Sequence, residues 1–96
     1  MRRTEIINAL RDFKEQYKEE YGIISLGLFG SSARDQADSS SDIDIVVKLT
    51  KQDLFNLIGI KQELEEKLHT PIDIVSYRDN MNAFLKRRID RDAVYV

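Results

Sequence analysis

Two aspartates one residue apart, Asp42 and Asp44, stand at the head of an apolar run in the sequence. On a β-strand, residues at i and i+2 point to the same face, so these two carboxylates are predicted to lie close together. Like charges at that separation repel each other unless one takes up a proton or a cation lies between them. The pair therefore predicts a divalent cation site at the edge of a core.

A third acidic residue, Asp73, lies between two isoleucines in a later apolar run. If its strand neighbours the strand of Asp44, all three carboxylates share one face of the sheet. Oxygen ligands of this kind suit Mg²⁺, which is commonly held by one or two carboxylates together with substrate phosphates. Two such ions can polarise a phosphoryl group and hold its attacking and leaving oxygens. Each aspartate alone is equally typical of a solvated strand start, so the prediction rests on the combination.

A glycine and a serine, Gly30 and Ser31, follow the first apolar strand, with ten residues between Ser31 and Asp42. Glycine lets the backbone approach a ligand closely, and a serine that begins a helical turn offers a hydroxyl and backbone N–H groups to a phosphate. The surrounding sequence has neither the P-loop pattern nor the dinucleotide-binding glycine pattern. The two residues therefore predict a phosphate site of a different kind.

Hydrophobic periodicity predicts the element order helix, strand, strand, helix, strand, helix. The second helix is long enough for a crossover, which places the second and third strands parallel and adjacent. The loop before the second strand allows the first two strands to pair antiparallel. We therefore expect an α/β (α+β) fold, a small mixed sheet of three to four strands packed against helices. The expected segments are a helix over 4–21, strands over 23–29, 42–49 and 72–76, a helix ending near His69, and a last helix beginning within 76–79.

Three details of these elements are also predicted. Thr50 and Asp53 have the spacing of a capping box, which places the N-cap of the second helix at Thr50. The last helix carries an apolar side that includes Phe84, which is expected in the core. The tail, residues 93–96, is either a short edge strand or a segment packed over the core.

The composition limits the possible functions. With 96 residues, the chain is expected to be a single domain over residues 1–96. A formal net charge of −2 predicts no direct nucleic-acid binding, because such proteins usually carry a basic surface. The chain has no cysteine, and neither a signal peptide nor a membrane-length apolar run is apparent, which favours a cytoplasmic protein.

At this point the motifs resemble a known family. Gly-Ser-x-Ala-Arg followed by Ser-Asp-Ile-Asp-Ile is similar to the signature of the DNA polymerase β-like nucleotidyltransferase superfamily. In a chain this short the pattern resembles the minimal nucleotidyltransferases (MNT), which often pair with a HEPN-domain toxin. The resemblance covers about residues 23–76 and combines the glycine-serine turn, the paired aspartates and the later single aspartate.

The resemblance implies a role for each matching position. Asp42 and Asp44 would bind two Mg²⁺ ions, and Asp73 would bind the catalytic metal and act as general base. Gly30 and Ser31 would hold the β- and γ-phosphates of ATP. The implied reaction transfers AMP from ATP to a hydroxyl, that of a tyrosine on a partner HEPN RNase toxin. The chain would then be the antitoxin, with the toxin as its partner in a hetero-oligomer.

Several alternatives stay open at the level of sequence. Arg34 matches the family's arginine and would contact phosphate or brace the loop, but an ion pair with Asp35 or Asp38 is an equal interpretation. The basic run 86–88 is most simply a solvated face, and a contact with a partner or with RNA is the less favoured alternative. The chain as a whole is alternatively a non-catalytic module that masks its toxin, or a nucleotidyltransferase acting on a small molecule.

Overall fold

The structure, a computed structural model, describes residues 2–30, 33 and 42–96. Its helices and strands follow one another in the predicted order. The strands form one four-stranded sheet with helices on both faces. The elements are α1 (Arg3–Tyr21), β1 (Ile23–Phe29), β2 (Ile43–Leu49), α2 (Leu54–Leu68), β3 (Ile72–Ser76), α3 (Ala83–Asp92) and β4 (Val94–Tyr95).

The strand order across the sheet is β3-β2-β1-β4. β2 and β3 are parallel, as the α2 crossover requires, whereas β1 pairs antiparallel with both β2 and β4. The prediction of a small mixed sheet is therefore confirmed. The tail forms the short edge strand β4, so the first of the two interpretations of residues 93–96 is correct.

Side-chain alternation along β2 divides the core into two clusters. Ile43, Ile45 and Val47 point to the face covered by α1 and α2 and belong to the larger cluster. Val46 points to the opposite face, where it packs with Phe29 and with Ile89 of α3. The face that carries Val46 also carries Asp44, so α3 lies on the side of the sheet where the carboxylates are.

The N-terminal ends of α2 and α3 differ from the predictions. The side chain of Asp53, and not that of Thr50, caps α2 by accepting hydrogen bonds from the backbone N–H groups of Phe55 and Asn56, at 2.9 and 3.3 Å. Asp53 is a strong N-cap in its own right, which is why the helix begins three residues later than the capping-box pattern indicated.

The last helix also begins later than predicted. Residues 77–82 form an extended and turn segment, and the side chain of Asn82 caps α3 through the N–H groups of Phe84 and Leu85. Because α3 starts at Ala83, Phe84 lies in its first turn with 74% of its surface exposed. The prediction that Phe84 belongs to the core is wrong.

Within the described part of the chain, no helix combines the length and apolarity that crossing a membrane requires.

Candidate active site

The carboxylates of Asp44 and Asp73 are brought together by the parallel pairing of β2 and β3. Asp44 is directly opposite Asp73 in the register, so the two side chains leave the same face of the sheet from adjacent strands. The backbone N–H of Ile43 donates a hydrogen bond to the carbonyl of Pro71 at 3.2 Å, which ties the starts of the two strands together. The sequence prediction that these strands are neighbours is confirmed.

The C-terminal end of β1 meets the same edge of the sheet. Phe29, its last residue, pairs with Asp44 in the antiparallel register. The next residue, Gly30, is buried and has a φ of 72°, in the left-handed region that favours glycine. A Cβ atom on Gly30 would collide with Oδ2 of Asp44. Glycine is therefore required here both by its backbone conformation and by the carboxylate beside it.

Asp42 lies one residue before β2 and is exposed, whereas Asp44 is partly buried. Asp73 is exposed, on the second residue of β3. Asp44 and Asp73 thus lie side by side on adjacent strands, Asp44 contacts Gly30, and Asp42 lies just before the start of β2. Two further predicted site residues, Ser31 and Arg34, lie outside the described residues.

The electrostatics of this edge are unfavourable for the ionised form of Asp44. Burial raises the pKa of Asp44 above its ordinary value, and the negative charges of Asp73 and Asp42 raise this pKa further, against the lowering effect of Arg88. A cation at this edge would relieve the repulsion. The donors are all carboxylate oxygens, the ligand type that Mg²⁺ prefers, so the residues present fit a magnesium ion.

The three carboxylates do not make a closed metal cage on their own. Across residues 2–30, 33 and 42–96, no three or more acidic, histidine or cysteine side chains are grouped so that they could hold a metal ion. The structure brings Asp44 and Asp73 together as a pair, and Mg²⁺ is usually held by one or two carboxylates together with waters and substrate phosphates. The assignment of Asp42, Asp44 and Asp73 as ligands stays a prediction.

Arg88 is exposed on α3, in agreement with the predicted solvated face, and its guanidinium carbon is 5.9 Å from the centre of the Phe29 ring. Its positive charge lowers the pKa of Asp44. The sequence did not predict this proximity to the candidate site. The one sequence feature that indicates this placement is that Arg88 directly precedes Ile89, an apolar residue of the last helix.

A groove of about 470 Å³ opens between the starts of α2 and α3, away from the carboxylates. Its apolar lining includes Leu54, Leu57 and Leu85. Several large apolar side chains around these two helix starts are exposed, which is unusual for a face that remains in water. They are Leu54 at 66%, Phe55 at 84%, Ile58 at 43% and Phe84 at 74% exposure.

The fold and the site together define a class of protein. Residues 11–96 match the family model described as "Polymerase beta, Nucleotidyltransferase", and this match covers most of the chain. The chain therefore belongs to the polymerase-beta nucleotidyltransferase family. The family that the sequence motifs resembled is thereby confirmed.

Within this family, the chain is similar to proteins described as adenylyltransferases and minimal nucleotidyltransferases. The chain is 30% identical over 93 residues to Protein adenylyltransferase MntA of Thermococcus cleftensis, which covers 96% of this chain and 93% of the relative. It also resembles a solved structure described as "putative minimal nucleotidyltransferase", with 29% identity, a TM-score of 0.80, and coverage of 98% of this chain and 95% of the other.

A more distant structural neighbour was solved as a complex. It contains a tri-AMPylated Shewanella oneidensis HEPN toxin with an MNT antitoxin. The likeness has 23% identity and a TM-score of 0.61, and it covers 97% of this chain and 66% of the neighbour's chain. At this identity the likeness shows the shared fold.

Proposed function

We propose that this chain is a magnesium-dependent protein adenylyltransferase that transfers AMP from ATP to a hydroxyl group of a HEPN-domain toxin, and that it neutralises the toxin in this way. The observation that carries the proposal is the placement of Asp44 opposite Asp73, beside the tight turn at Gly30. The adenylyltransferase name of the Thermococcus relative and the AMPylated HEPN toxin of the Shewanella complex support the substrate and the partner.

In the proposed reaction the acceptor hydroxyl oxygen forms a bond to the α-phosphorus of ATP. The bond from that phosphorus to the oxygen bridging it to the β-phosphate breaks, and pyrophosphate leaves. Asp73 is exposed and takes the hydroxyl proton as general base. We infer a tyrosine as acceptor, following the resemblance of the sequence to the MNT family.

Asp42, Asp44 and Asp73 would hold Mg²⁺, with two ions expected. When bound, Mg²⁺ neutralises charge on the phosphates and on the departing pyrophosphate. Gly30 leaves space for the Asp44 carboxylate and brings the backbone close to the phosphates. We assign Ser31 and Arg34 to phosphate binding on the basis of sequence. We further propose that the chain acts in the cytoplasm and as a single domain over residues 1–96.

The test uses ATP labelled on its α-phosphate, Mg²⁺, and a purified HEPN-domain toxin as the acceptor. We expect label on the HEPN protein, whereas ATP labelled on the γ-phosphate gives none, because pyrophosphate leaves unattached. Asp44→Asn and Asp73→Asn should abolish labelling while both variants remain folded. Labelling that persists in both variants would contradict the proposed roles of these carboxylates.

A second candidate function is supported by the exposed apolar side chains around the α2–α3 groove. Such a surface is typical of a protein-binding site, so the chain can also neutralise its toxin by covering it. The same variants separate the two functions. If Asp44→Asn still neutralises the toxin and no label is transferred by the unaltered chain, masking and not catalysis is the function.

A further inference from the structure

Arg88 places a positive charge above the end of β1. Its guanidinium carbon lies 5.9 Å from the centre of the Phe29 ring. Phe29 is 2% exposed, pairs with Asp44 in the register, and directly precedes Gly30. Arg88 therefore belongs to the same edge of the sheet as the candidate active site, although it comes from a different element.

The position of Arg88 is fixed by the packing of α3. The next residue, Ile89, is fully buried and packs against Phe29 and Val46. Leu85, one turn earlier, packs against the same cluster. Because Arg88 is adjacent to a fully buried residue of this helix, its backbone cannot move far from the carboxylates without disrupting the cluster.

The neighbouring basic residues serve as an internal comparison. Arg87 lies 5.0 Å from the ring centre of the exposed Phe84, and Lys86 lies 5.9 Å from that of Tyr77. The three consecutive cations therefore rest on three different rings. Of these three, Arg88 is the one whose ring belongs to the strand end beside Asp44.

Arg88 is also close enough to Asp44 for its positive charge to act on that carboxylate. An arginine that rests on an aromatic ring keeps the N–H groups at the edge of its guanidinium plane available for oxygen acceptors. Those groups match the spacing of two phosphate oxygens.

We propose that Arg88 is a substrate-binding residue, whose guanidinium contacts the phosphates of the nucleotide at the Gly30–Asp44 edge. The inference rests on the proposed function, because it assumes that ATP binds there. The alternative role is structural, in which Arg88 only compensates the charge of Asp44. The two roles differ in what happens to nucleotide binding when the charge is removed.

The experiment measures the dissociation constant for ATP with Mg²⁺ by isothermal titration calorimetry, at low and at high salt. Arg88→Gln and Arg88→Met both remove the positive charge, and the methionine keeps an apolar side chain over the Phe29 ring. Arg87→Gln is the matched control on the same helix. We expect roughly tenfold weaker ATP binding for both Arg88 variants, as for the loss of one charge-assisted contact. Their binding should also depend less on salt.

Arg87→Gln should bind ATP as the unaltered chain does. Arg88 variants that bind ATP with unchanged affinity and salt dependence would overturn the inference, and lower thermal stability in those variants would then show the structural role. If the unaltered chain does not bind ATP, or Asp44→Asn binds it equally well, the proposed site itself fails, and the inference fails with it. The two failures are therefore distinguishable.

Discussion

Gly30 and Asp44 are in such close contact that a Cβ atom on the glycine would collide with Oδ2 of the aspartate. Gly30 also has a φ of 72°, where an L side chain is strained. The turn after β1 and the Asp44 carboxylate on β2 can therefore lie this close together because Gly30 has no side chain. This contact joins the two halves of the sequence motif, the glycine-serine turn and the paired aspartates, in one place.

The first prediction follows from that contact. Gly30→Ala should lower the free energy of unfolding by about 1–2 kcal/mol, because the left-handed conformation disfavours alanine. It should also reduce the rate of AMP transfer strongly, because the Asp44 carboxylate must move away from the new methyl group. Urea unfolding and the labelling assay measure the two effects separately.

Gly22 provides the matched control for that substitution. It ends α1 with a φ of 68° and is crowded by the Thr50 hydroxyl, but it is remote from the carboxylates. Gly22→Ala should therefore cost similar stability and leave AMP transfer by the folded protein unchanged. Equal loss of transfer in both variants would mean that the requirement at Gly30 is for folding and not for the site.

The second prediction concerns magnesium. Because burial and Asp73 disfavour the charge of Asp44, Mg²⁺ should stabilise the unaltered chain and raise its unfolding temperature. Asp44→Asn should be at least as stable as the unaltered chain without Mg²⁺, because the repulsion is gone, and should respond little to the ion. Thermal unfolding followed by circular dichroism measures both effects.

Asp12→Asn is the control for magnesium, since Asp12 is an exposed carboxylate on α1. It should keep the full response to the ion. A response that is the same in Asp44→Asn and in the unaltered chain would show that Mg²⁺ acts elsewhere.

Much of the fold follows from the sequence because its signals are local. The bounds of β1 and β3 agree with the predicted 23–29 and 72–76, where apolar runs end at turn-forming residues. The parallel pairing of β2 and β3 also follows, because α2 is long enough for the crossover connection that parallel neighbouring strands need.

The features that escaped prediction depend on contacts between distant residues. In the sequence, Arg88 is one of three consecutive cations. Its charge acts on Asp44 because Ile89, the next residue, packs α3 against Phe29. The exposure of Phe84 depends on the start of α3, which Asn82 sets by capping. Neither relationship is encoded by periodicity along one element.

The third prediction is a pH dependence that originates at Glu65. Its carboxylate accepts hydrogen bonds from the backbone N–H of Ile72 at 2.9 Å and from Lys61 at 3.1 Å. The hydrogen bond from Ile72 and then that from Lys61 lower the pKa of Glu65 below its ordinary value of 4.5. This contact holds the start of β3, next to Asp73, to the end of α2.

The sign of the effect follows from the direction of the shift. A lowered pKa means that Glu65 stabilises the fold above pH 4.5 and that this contribution is lost as the pH falls through the lower folded-state pKa. Glu65→Gln should therefore be less stable than the unaltered chain at neutral pH, with the difference shrinking in acid. Urea midpoints across this range measure it.

Glu66→Gln, an exposed neighbour on the same helix, is the control for the pH experiment. It should follow the unaltered chain at every pH. If Glu65→Gln and the unaltered chain differ by the same amount in acid and at neutral pH, the carboxylate charge is not what stabilises this junction.

The fourth prediction tests the exposed apolar surface at the α2–α3 groove. Phe55 is 84% exposed in the first turn of α2, so Phe55→Ser should change stability little. If the surface binds the HEPN partner, the same substitution should weaken the complex by more than tenfold, as the loss of a central aromatic contact typically does. Binding of ATP should be unchanged, because the groove and the carboxylates are separate. Calorimetric titration with the HEPN protein provides the measurement.

Ile24→Ser is the control, since Ile24 is an apolar residue of β1, 47% exposed, and belongs to neither of the two helix starts that carry the exposed apolar surface. Equal weakening by Phe55→Ser and Ile24→Ser would exclude the surface at the starts of α2 and α3 as the specific binding surface, because loss of exposed apolar area anywhere would then have the same effect.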